Sequence, residues 1–442
     1  MTNNVYTIPS SYLSPNKSPL SVQTFKVNQS PTFFDSKRSP IHRWYGIVPG
    51  FSHASVIQAF LENEVGNDDG VVLDPFAGCG TTNIAAKLFG VKSIGIEAHP
   101  LLAMIARVKT TWDFKGYDLL RESNVLMEQI SRASPQQGTL WNPPKFVTKL
   151  YDDETLGKLL AIRELIKSKV EDSKLRDLYT LVLLRILRET TYSKVDGIYM
   201  APESKKKSRK EAFGAFKESL NMIVSDLLLV QNLRYAESKV IQGDSRDMAG
   251  IPDNSIRFAF TSPPYLNNFD YAEMTRLELY FLEMAHNWGS ITQNIRSKLI
   301  INSTTQVNGA DRQGLKIEDE IPVGIRKFIE GAQTNLSEIR MTKSGKKYYD
   351  IIVVRYFNDM WNHLKEMYRV LKPNSVYLLT LGDSALYGIH IPTDEILRDI
   401  ALSIGFRGGD IELLRVRGNK SQIDFGKRPR LPLREVRLRL LR

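Results

Sequence analysis

A short proline-rich stretch carries the residue types best suited to holding a small aromatic ring. It reads Thr261-Ser262-Pro263-Pro264-Tyr265 and directly follows a strand-like run over 255–260. Two consecutive prolines end the strand, because neither donates to a ladder and both fix φ. The turn presents a hydroxyl, backbone carbonyls and an aromatic face. These groups suit a ring with an exocyclic amine, although a turn that merely ends a strand would look the same.

A second motif upstream combines a buried strand, a glycine turn and the start of a helix. It reads Val71-Val72-Leu73-Asp74-Pro75-Phe76-Ala77-Gly78-Cys79-Gly80-Thr81-Thr82. Glycines take positive φ and let the backbone approach a ligand closely. The next strand, over 92–96, ends on Glu97. An acid there can accept both hydroxyls of a ribose, at roughly the spacing of about 20 residues found in dinucleotide folds. No phosphate-gripping lysine follows the glycines, which argues against a P-loop.

Composition and charge restrict the class of protein. The 442 residues suffice for a sizeable core, and the net charge of +11 favours an anionic partner, nucleic acid before membrane. No apolar run reaches the length of a membrane span, and the N-terminus lacks a secretory signal. One cysteine allows no internal disulfide, which fits a reducing cytoplasm. The six histidines show no paired ligand spacing, so no metal site is expected.

Together, the two motifs resemble those of the S-adenosylmethionine-dependent DNA amino-methyltransferases. The resemblance covers roughly residues 41–110 and 238–442, and includes Gly243-Asp244. It implies S-adenosyl-L-methionine as cofactor, double-stranded DNA as substrate, and methylation of N4 of cytosine or N6 of adenine. Serine before Pro-Pro-Tyr favours cytosine N4 in this family, and protection of host DNA beside a cognate restriction endonuclease is its commonest role. An adenine enzyme, an RNA amino-methyltransferase and a non-catalytic DNA-binding protein remain alternatives.

The resemblance also implies which residues form the site. The catalytic turn would consist of Ser262, Pro263, Pro264 and Tyr265. Cofactor contacts would come from both motifs, from the strand ends and from the segment before the first helix: Asp74, Phe76, Ala77, Gly78, Gly80, Thr81, Glu97, Asp244, Thr261, Trp44, Phe51 and Ser52. Methylation at cytosine C5 is close to excluded, because the thiolate that it needs could come only from Cys79, which we interpret as a packing residue inside the glycine turn.

These motifs require a doubly wound α/β core with a mostly parallel, Rossmann-like sheet and the cofactor at the carboxyl ends of its strands. The core is assigned to residues 41–112, 237–286 and 350–442. A mobile arm is expected over 1–40. Residues 113–236 show apolar residues at helical spacing and are predicted to form a helical insert. A second, irregular insert is predicted over 287–349, and a closing C-terminal hairpin over 412–417 and 435–441.

Basic residues cluster in both inserts, which are therefore the candidate DNA-recognition regions. A run in the helical insert contains Lys205, Lys206, Lys207, Arg209 and Lys210. The second insert carries Lys346 and Lys347 beside two tyrosines, a combination that suits backbone contact and base stacking. A solvated surface is the alternative for the basic run.

Overall fold

The computed structural model describes most of the chain. The described residues are 5–6, 25–26, 35–46, 50–66, 68–114, 118–133, 142–196, 199–206, 209–230, 232–309, 315–417 and 433–442. Most of the predicted N-terminal arm therefore lies outside the described residues, as does Lys207 of the basic run.

Helices and strands alternate through much of the chain. The helices are α1 (His53–Glu62), α2 (Thr81–Leu88), α3 (Pro100–Thr110), α4 (Leu119–Arg132), α5 (Lys145–Thr148), α6 (Asp153–Lys169), α7 (Ser173–Thr190), α8 (Ala212–Val230), α9 (Tyr271–Met274), α10 (Arg276–Phe281), α11 (Trp288–Asn294), α12 (Val323–Met341), α13 (Tyr349–Val370) and α14 (Thr393–Ile404). The strands are β1 (Val5–Tyr6), β2 (Phe25–Lys26), β3 (Val71–Asp74), β4 (Ser93–Glu97), β5 (Ser193–Asp196), β6 (Tyr199–Lys205), β7 (Ser238–Gln242), β8 (Ile256–Thr261), β9 (Leu371–Gly382), β10 (Ser384–Leu386), β11 (Ile389–Ile391), β12 (Arg407–Arg417) and β13 (Leu433–Leu441).

A seven-stranded sheet in the order β12-β13-β9-β8-β3-β4-β7 forms the centre of the fold. The five strands from β9 to β7 are parallel, and β13 lies antiparallel between β9 and β12. The strands that begin the two motifs, β3 and β8, are direct neighbours. Because their carboxyl ends meet at one edge of the sheet, both motif turns lie together there. The predicted Rossmann-like fold with a mostly parallel sheet is confirmed.

Hydrophobic packing covers the sheet on both faces. Helices α13 and α14 contribute to a cluster with β8, β9 and β13, in which Phe357 and Leu379 are fully buried. On the other face, α1 and α2 pack against β8 and β9, with Phe60 and Phe260 fully buried. A separate cluster joins α3 to the helices that follow it, with Ile105 and Leu184 fully buried. Within the described residues, no helix is long and apolar enough to cross a membrane.

The two predicted inserts contain elements that the sequence patterns did not reveal. The described part of residues 113–236 holds five helices, and also the antiparallel hairpin β5–β6, whose last residue is Lys205. The stretch over 287–349, predicted to be irregular, contains the 19-residue helix α12. Its buried residues Ile329, Ala332 and Leu336 fall on one helical face. That prediction was wrong because two glycines and several polar residues hide the period.

Candidate active site

One cavity lies at the carboxyl ends of the central parallel strands. Its volume is about 600 Å³, within the range of about 300–1,000 Å³ that small-molecule sites occupy. Eleven of the residues assigned to the cofactor or to catalysis line it: Phe51, Phe76, Ala77, Gly78, Thr81, Glu97, Asp244, Ser262, Pro263, Pro264 and Tyr265. The fold therefore brings together residues that are up to 214 positions apart in the chain, from Phe51 to Tyr265.

The glycine turn forms one wall of this cavity. Gly78 has φ +53°, in the left-handed region that favours glycine, and a Cβ added there would meet no atom within 4 Å. Gly80 has φ +83° and precedes α2, and a Cβ there would come within 3.2 Å of Ala106. Gly78 thus leaves space for a ligand, whereas Gly80 permits close packing of the turn on α3 and does not line the cavity.

Glu97, the last residue of β4, is held by backbone donors. Gly78 N donates to Oε2 at 2.7 Å, and His99 N donates to Oε1 at 2.8 Å. Burial raises the pKa of Glu97 to about 7. A carboxylate has about four lone-pair sites, so each oxygen can accept a further hydrogen bond from the cavity. This arrangement suits a pair of vicinal hydroxyl groups.

Asp74 and Thr261 connect the two motifs beneath the cavity. Thr261 Oγ1 donates to Asp74 Oδ1 at 2.6 Å, and the same oxygen accepts from Phe76 N at 3.1 Å. Both Asp74 and Thr261 are fully buried, and burial raises the pKa of Asp74 to about 6. They do not line the cavity; they hold the glycine turn and the proline turn in a fixed relation.

The proline turn lies directly after β8. Ser262 and Tyr265 both line the cavity, and Ser262 Oγ lies 3.4 Å from the Tyr265 hydroxyl. Burial raises the pKa of Tyr265 above its usual range, so the phenol stays protonated at neutral pH. The turn therefore presents two neutral hydroxyl groups and an aromatic ring to the cavity, whereas the sequence predicted one hydroxyl, backbone carbonyls and the ring.

Asp244 lines the cavity next to an arginine that sequence reasoning missed. Arg246 Nη2 lies 2.6 Å from Asp244 Oδ2, and Arg246 Nη1 lies 2.8 Å from Asp359 Oδ1. Asp359 Oδ2 in turn accepts from Ile301 N at 3.1 Å. The chain Asp244–Arg246–Asp359 therefore ties the end of β7 to the stretch after α11. No spacing in the sequence links these three residues.

The structure places Trp44 and Ser52 away from the cavity. Trp44 is fully buried and its Nε1 donates to Asp226 Oδ2 at 2.9 Å, in α8 of the helical insert. Ser52 caps α1, with its Oγ accepting from Ala54 N at 3.1 Å. Of this segment, Gly50 and Phe51 reach the cavity. The aromatic and polar residues therefore serve mainly to pack the segment that carries Phe51.

Most of the described basic run has internal partners. Lys206 Nζ donates to the Arg188 carbonyl at 2.7 Å, and Arg209 Nη2 lies 2.7 Å from Asp152. Lys210 Nζ lies 3.1 Å from Glu189 and 3.0 Å from Glu218. Lys205 is exposed, and its one contact among the described residues is 3.4 Å to the Lys149 carbonyl. Lys346 and Lys347, on the second insert, are both exposed.

Several cavity residues were not among the site residues predicted from the sequence. The C-terminal hairpin contributes Arg415, Arg417 and Glu435, and the stretch after α11 contributes Lys298 and Asn302. The density of arginine in β12 and β13 was the only signal for the first group. The second group carried no signal, because an isolated lysine or asparagine in a polar stretch is ordinary.

Comparisons with known proteins agree with this geometry. Residues 55–107, which span the glycine turn and Glu97, match the N6/N4 methyltransferase family, described as DNA methylase. The chain is 26% identical to the type II methyltransferase M.BsoBI of Geobacillus stearothermophilus over 448 residues, covering 90% of this chain and 85% of the relative. It is 28% identical to M.AvaI of Nostoc sp. over 436 residues, covering 91% and 87%.

The family match and these two relatives support an S-adenosylmethionine-dependent DNA amino-methyltransferase. S-adenosylmethionine is accordingly the methyl donor of this methyltransferase. The cavity residues fit that cofactor, since Gly78 leaves open space and Glu97 keeps acceptor capacity beside it. A third relative, M.MvaI of Kocuria varians, is 21% identical over 399 residues, covering 84% of each chain.

Proposed function

We propose that this methyltransferase is a type II DNA methyltransferase that modifies N4 of cytosine in double-stranded DNA, within a restriction–modification system. The observation that carries the proposal is that one and the same cavity is lined by the glycine turn with Glu97 and by the Ser262-Pro263-Pro264-Tyr265 turn. Serine before Pro-Pro-Tyr favours the cytosine reaction in the resembled family. M.BsoBI, M.AvaI and M.MvaI are type II methyltransferases, which supports the biological role.

Glu97 would hold the ribose of the cofactor through its two oxygens, each already fixed by a backbone N–H. Phe76, Ala77 and Gly78 would lie against the cofactor along the glycine turn, with Phe51 and Thr81 closing the same wall. Asp244 would accept from the adenine amine, in the orientation that Arg246 imposes on its carboxylate. When bound, S-adenosylmethionine supplies an electrophilic methyl group on its sulfonium.

The proline turn would activate the target amine. The lone pair of an exocyclic amine is delocalised into its ring, so the nitrogen must pyramidalise before it attacks. Ser262 Oγ and the Pro263 carbonyl can accept its two N–H bonds and stabilise the positive charge that develops on nitrogen. Tyr265 would stack on the extruded base and offset part of the few kcal/mol that flipping costs. No covalent enzyme intermediate is needed, in keeping with the single cysteine.

DNA would be held by exposed basic groups around this cavity and on the inserts. Lys346 and Lys347 are exposed and lie in the segment between α12 and α13. Lys205 is exposed at the end of the β5–β6 hairpin. Since lysine ammonium groups mostly neutralise phosphates, these residues would position the duplex without reading its sequence. Lys206, Arg209 and Lys210 would contribute less, because they already have partners.

Product analysis tests the proposed reaction. The protein is incubated with labelled S-adenosylmethionine and, separately, with unmethylated duplex DNA, single-stranded DNA or RNA. Digestion to nucleosides and mass spectrometry then identify the modified base. We expect N4-methylcytosine from duplex DNA. N6-methyladenine would overturn the base assignment, and a product from RNA alone would overturn the substrate.

A further inference from the structure

The C-terminal hairpin brings charged side chains into the cavity beside the proline turn. Arg417 from β12 and Glu435 from β13 line the cavity together with Tyr265. The guanidinium carbon of Arg417 lies 5.9 Å from the centre of the Tyr265 ring. A base stacked on that ring would therefore lie within reach of this arginine.

Arg417 is anchored at one end of its guanidinium. Its Nη2 donates to the Asp383 carbonyl and lies 3.5 Å from Asp383 Oδ1. Gly382 makes room for it, because a Cβ there would stand 2.9 Å from that nitrogen. Asp383 itself is buried and fixed by Arg434 N at 2.6 Å and His390 Nε2 at 2.8 Å. The arginine is thus pre-oriented, and within the described part of the chain its Nη1 donates to no residue.

The neighbouring arginine is in a different state. Arg415 directs both Nε and Nη2 to Glu435 Oε2, at 2.8 and 2.6 Å. Two of its five N–H donors are therefore directed at a carboxylate that is itself buried. Of the two hairpin arginines that line the cavity, Arg415 is paired with a carboxylate at short range, whereas Arg417 donates to a backbone carbonyl.

A guanidinium fork distinguishes cytosine from adenine. Beside its amine, cytosine presents two adjacent acceptors, N3 and O2, which match two parallel N–H donors. Adenine presents one acceptor, N1, beside its amine, and a C–H follows it. When the cytosine amine faces Ser262 and Pro263, N3 and O2 form the adjoining edge of the ring.

We propose that Arg417 is a specificity-determining residue, which donates one N–H of Nη1 and the second N–H of Nη2 to N3 and O2 of the flipped cytosine. The inference rests on the proposed cytosine reaction and deepens it. It assigns the choice of target base to the C-terminal hairpin, whereas the proline turn carries the transfer. The alternative is that Arg417 only fastens the hairpin to Asp383.

A cycle that pairs a protein change with a base change separates these roles. The modified site is first mapped from the wild-type product, and duplexes are made with cytosine or 3-deazacytosine, in which C–H replaces N3, at the target. Wild type, Arg417→Ala and Arg417→Lys are compared by kcat/KM on both duplexes. Arg407→Ala is the matched control, because Arg407 lies on the same strand but bonds Asn374 and the Arg442 carbonyl instead.

We expect the deaza substitution to lower kcat/KM of wild type and Arg407→Ala by about tenfold to a hundredfold, the value of a hydrogen bond to a charged group. For Arg417→Ala, kcat/KM should be only slightly lower on the analogue than on cytosine. The factor for Arg417→Lys should lie between those of wild type and Arg417→Ala. The altered electronics of the analogue's amine cancel in the comparison. Cofactor affinity should be unchanged in every variant.

Equal sensitivity of wild type and Arg417→Ala to the analogue would overturn the inference and leave Arg417 as a fastening residue. If the alanine variant does not fold, Arg417→Lys takes its place in this test. In that case the inference would be overturned if the analogue lowered kcat/KM by the same factor in Arg417→Lys as in wild type. If the wild-type protein instead forms N6-methyladenine, the proposed cytosine reaction is refuted, and the role of Arg417 in recognising cytosine is refuted with it. The two failures are therefore distinguishable.

Discussion

The proline turn and the basic run were both predicted to be functional from their residue types, but their surroundings in the structure differ. Ser262 and Tyr265 lie at the carboxyl end of a central strand, facing a cavity that the glycine turn shares. Lys206, Arg209 and Lys210 lie at the base of a hairpin in the helical insert, paired with Asp152, Glu189, Glu218 and a backbone carbonyl. The side chains of the proline turn face the cavity, whereas most charged groups of the basic run are paired with other groups of the protein.

The difference shows what each kind of pattern encodes. Two consecutive prolines after a strand restrict backbone conformation, so the position of the following side chains is largely determined by the strand. A run of lysines specifies charge but not geometry, and its long side chains can reach carboxylates on neighbouring helices. Motifs that constrain the backbone therefore located the site more reliably than motifs that only carry charge.

Replacing Glu97 should produce the largest change in cofactor binding. Glu97→Ala should weaken S-adenosylmethionine binding by about 1–3 kcal/mol, because it removes the acceptor assigned to the ribose. Calorimetry measures the change. Since both oxygens also accept backbone N–H bonds, circular dichroism must show that the variant is folded. Unchanged affinity in a folded Glu97→Ala protein would remove this residue from the site.

The exposed lysines should contribute more to DNA binding than the paired run. Each phosphate contact contributes about 0.9 to the slope of log affinity against log salt. Changing Lys346 and Lys347 together to glutamine should therefore lower that slope by up to about 1.8 on any duplex. Lys210→Gln, the matched control in the paired run, should change it by less than one contact. A larger loss from Lys210→Gln would reverse the comparison.

Cofactor affinity should depend on pH through Glu97. Its pKa of about 7 in the free protein means that a proton must leave before the carboxylate can accept from two hydroxyls. Affinity should accordingly fall as pH falls, by about fourfold from pH 8 to pH 6.5. Glu97→Gln should give a nearly flat profile in this range, where Asp74, with a pKa of about 6, is mostly charged. A wild-type profile without a slope would mean that Glu97 does not bind the cofactor in its charged form.

Cys79 should matter least. It is buried in the glycine turn, and the proposed mechanism uses no thiolate. Cys79→Ala should keep its transfer activity and lose about 1 kcal/mol of stability, an ordinary cost for a buried substitution. Activity and thermal unfolding of the variant are measured together. Complete loss of transfer by a folded protein that still binds cofactor would reopen covalent catalysis.

The sequence predicted the sheet, both motif turns and the position of Glu97, because each rests on local rules. Apolar runs bounded by glycine or proline define strands, and parallel strands bring their carboxyl ends to one edge. The C-terminal hairpin was also predicted, and Glu412 pairs with Arg437 in it. These parts needed no information about distant contacts.

The remaining parts depend on contacts that local patterns do not encode. Arg246 and Asp359 meet across more than one hundred residues, and Trp44 finds its partner in α8. Ser52 has the residue type for a polar ligand contact and equally for a helix cap, and the structure shows the cap. Strand β13 pairs with β9, and β12 pairs with the other edge of β13. This pairing brings Arg417, at the end of β12, to the cavity.

The transfer step of Ser262→Ala tests the central claim, that the proline turn acts on the base while the glycine turn holds the cofactor. Single-turnover methylation of duplex DNA is measured with the cofactor affinity of the same preparation. We predict a rate lower by about a hundredfold, the effect of removing one group that stabilises developing charge, with cofactor affinity unchanged. A wild-type rate in the variant would contradict the account.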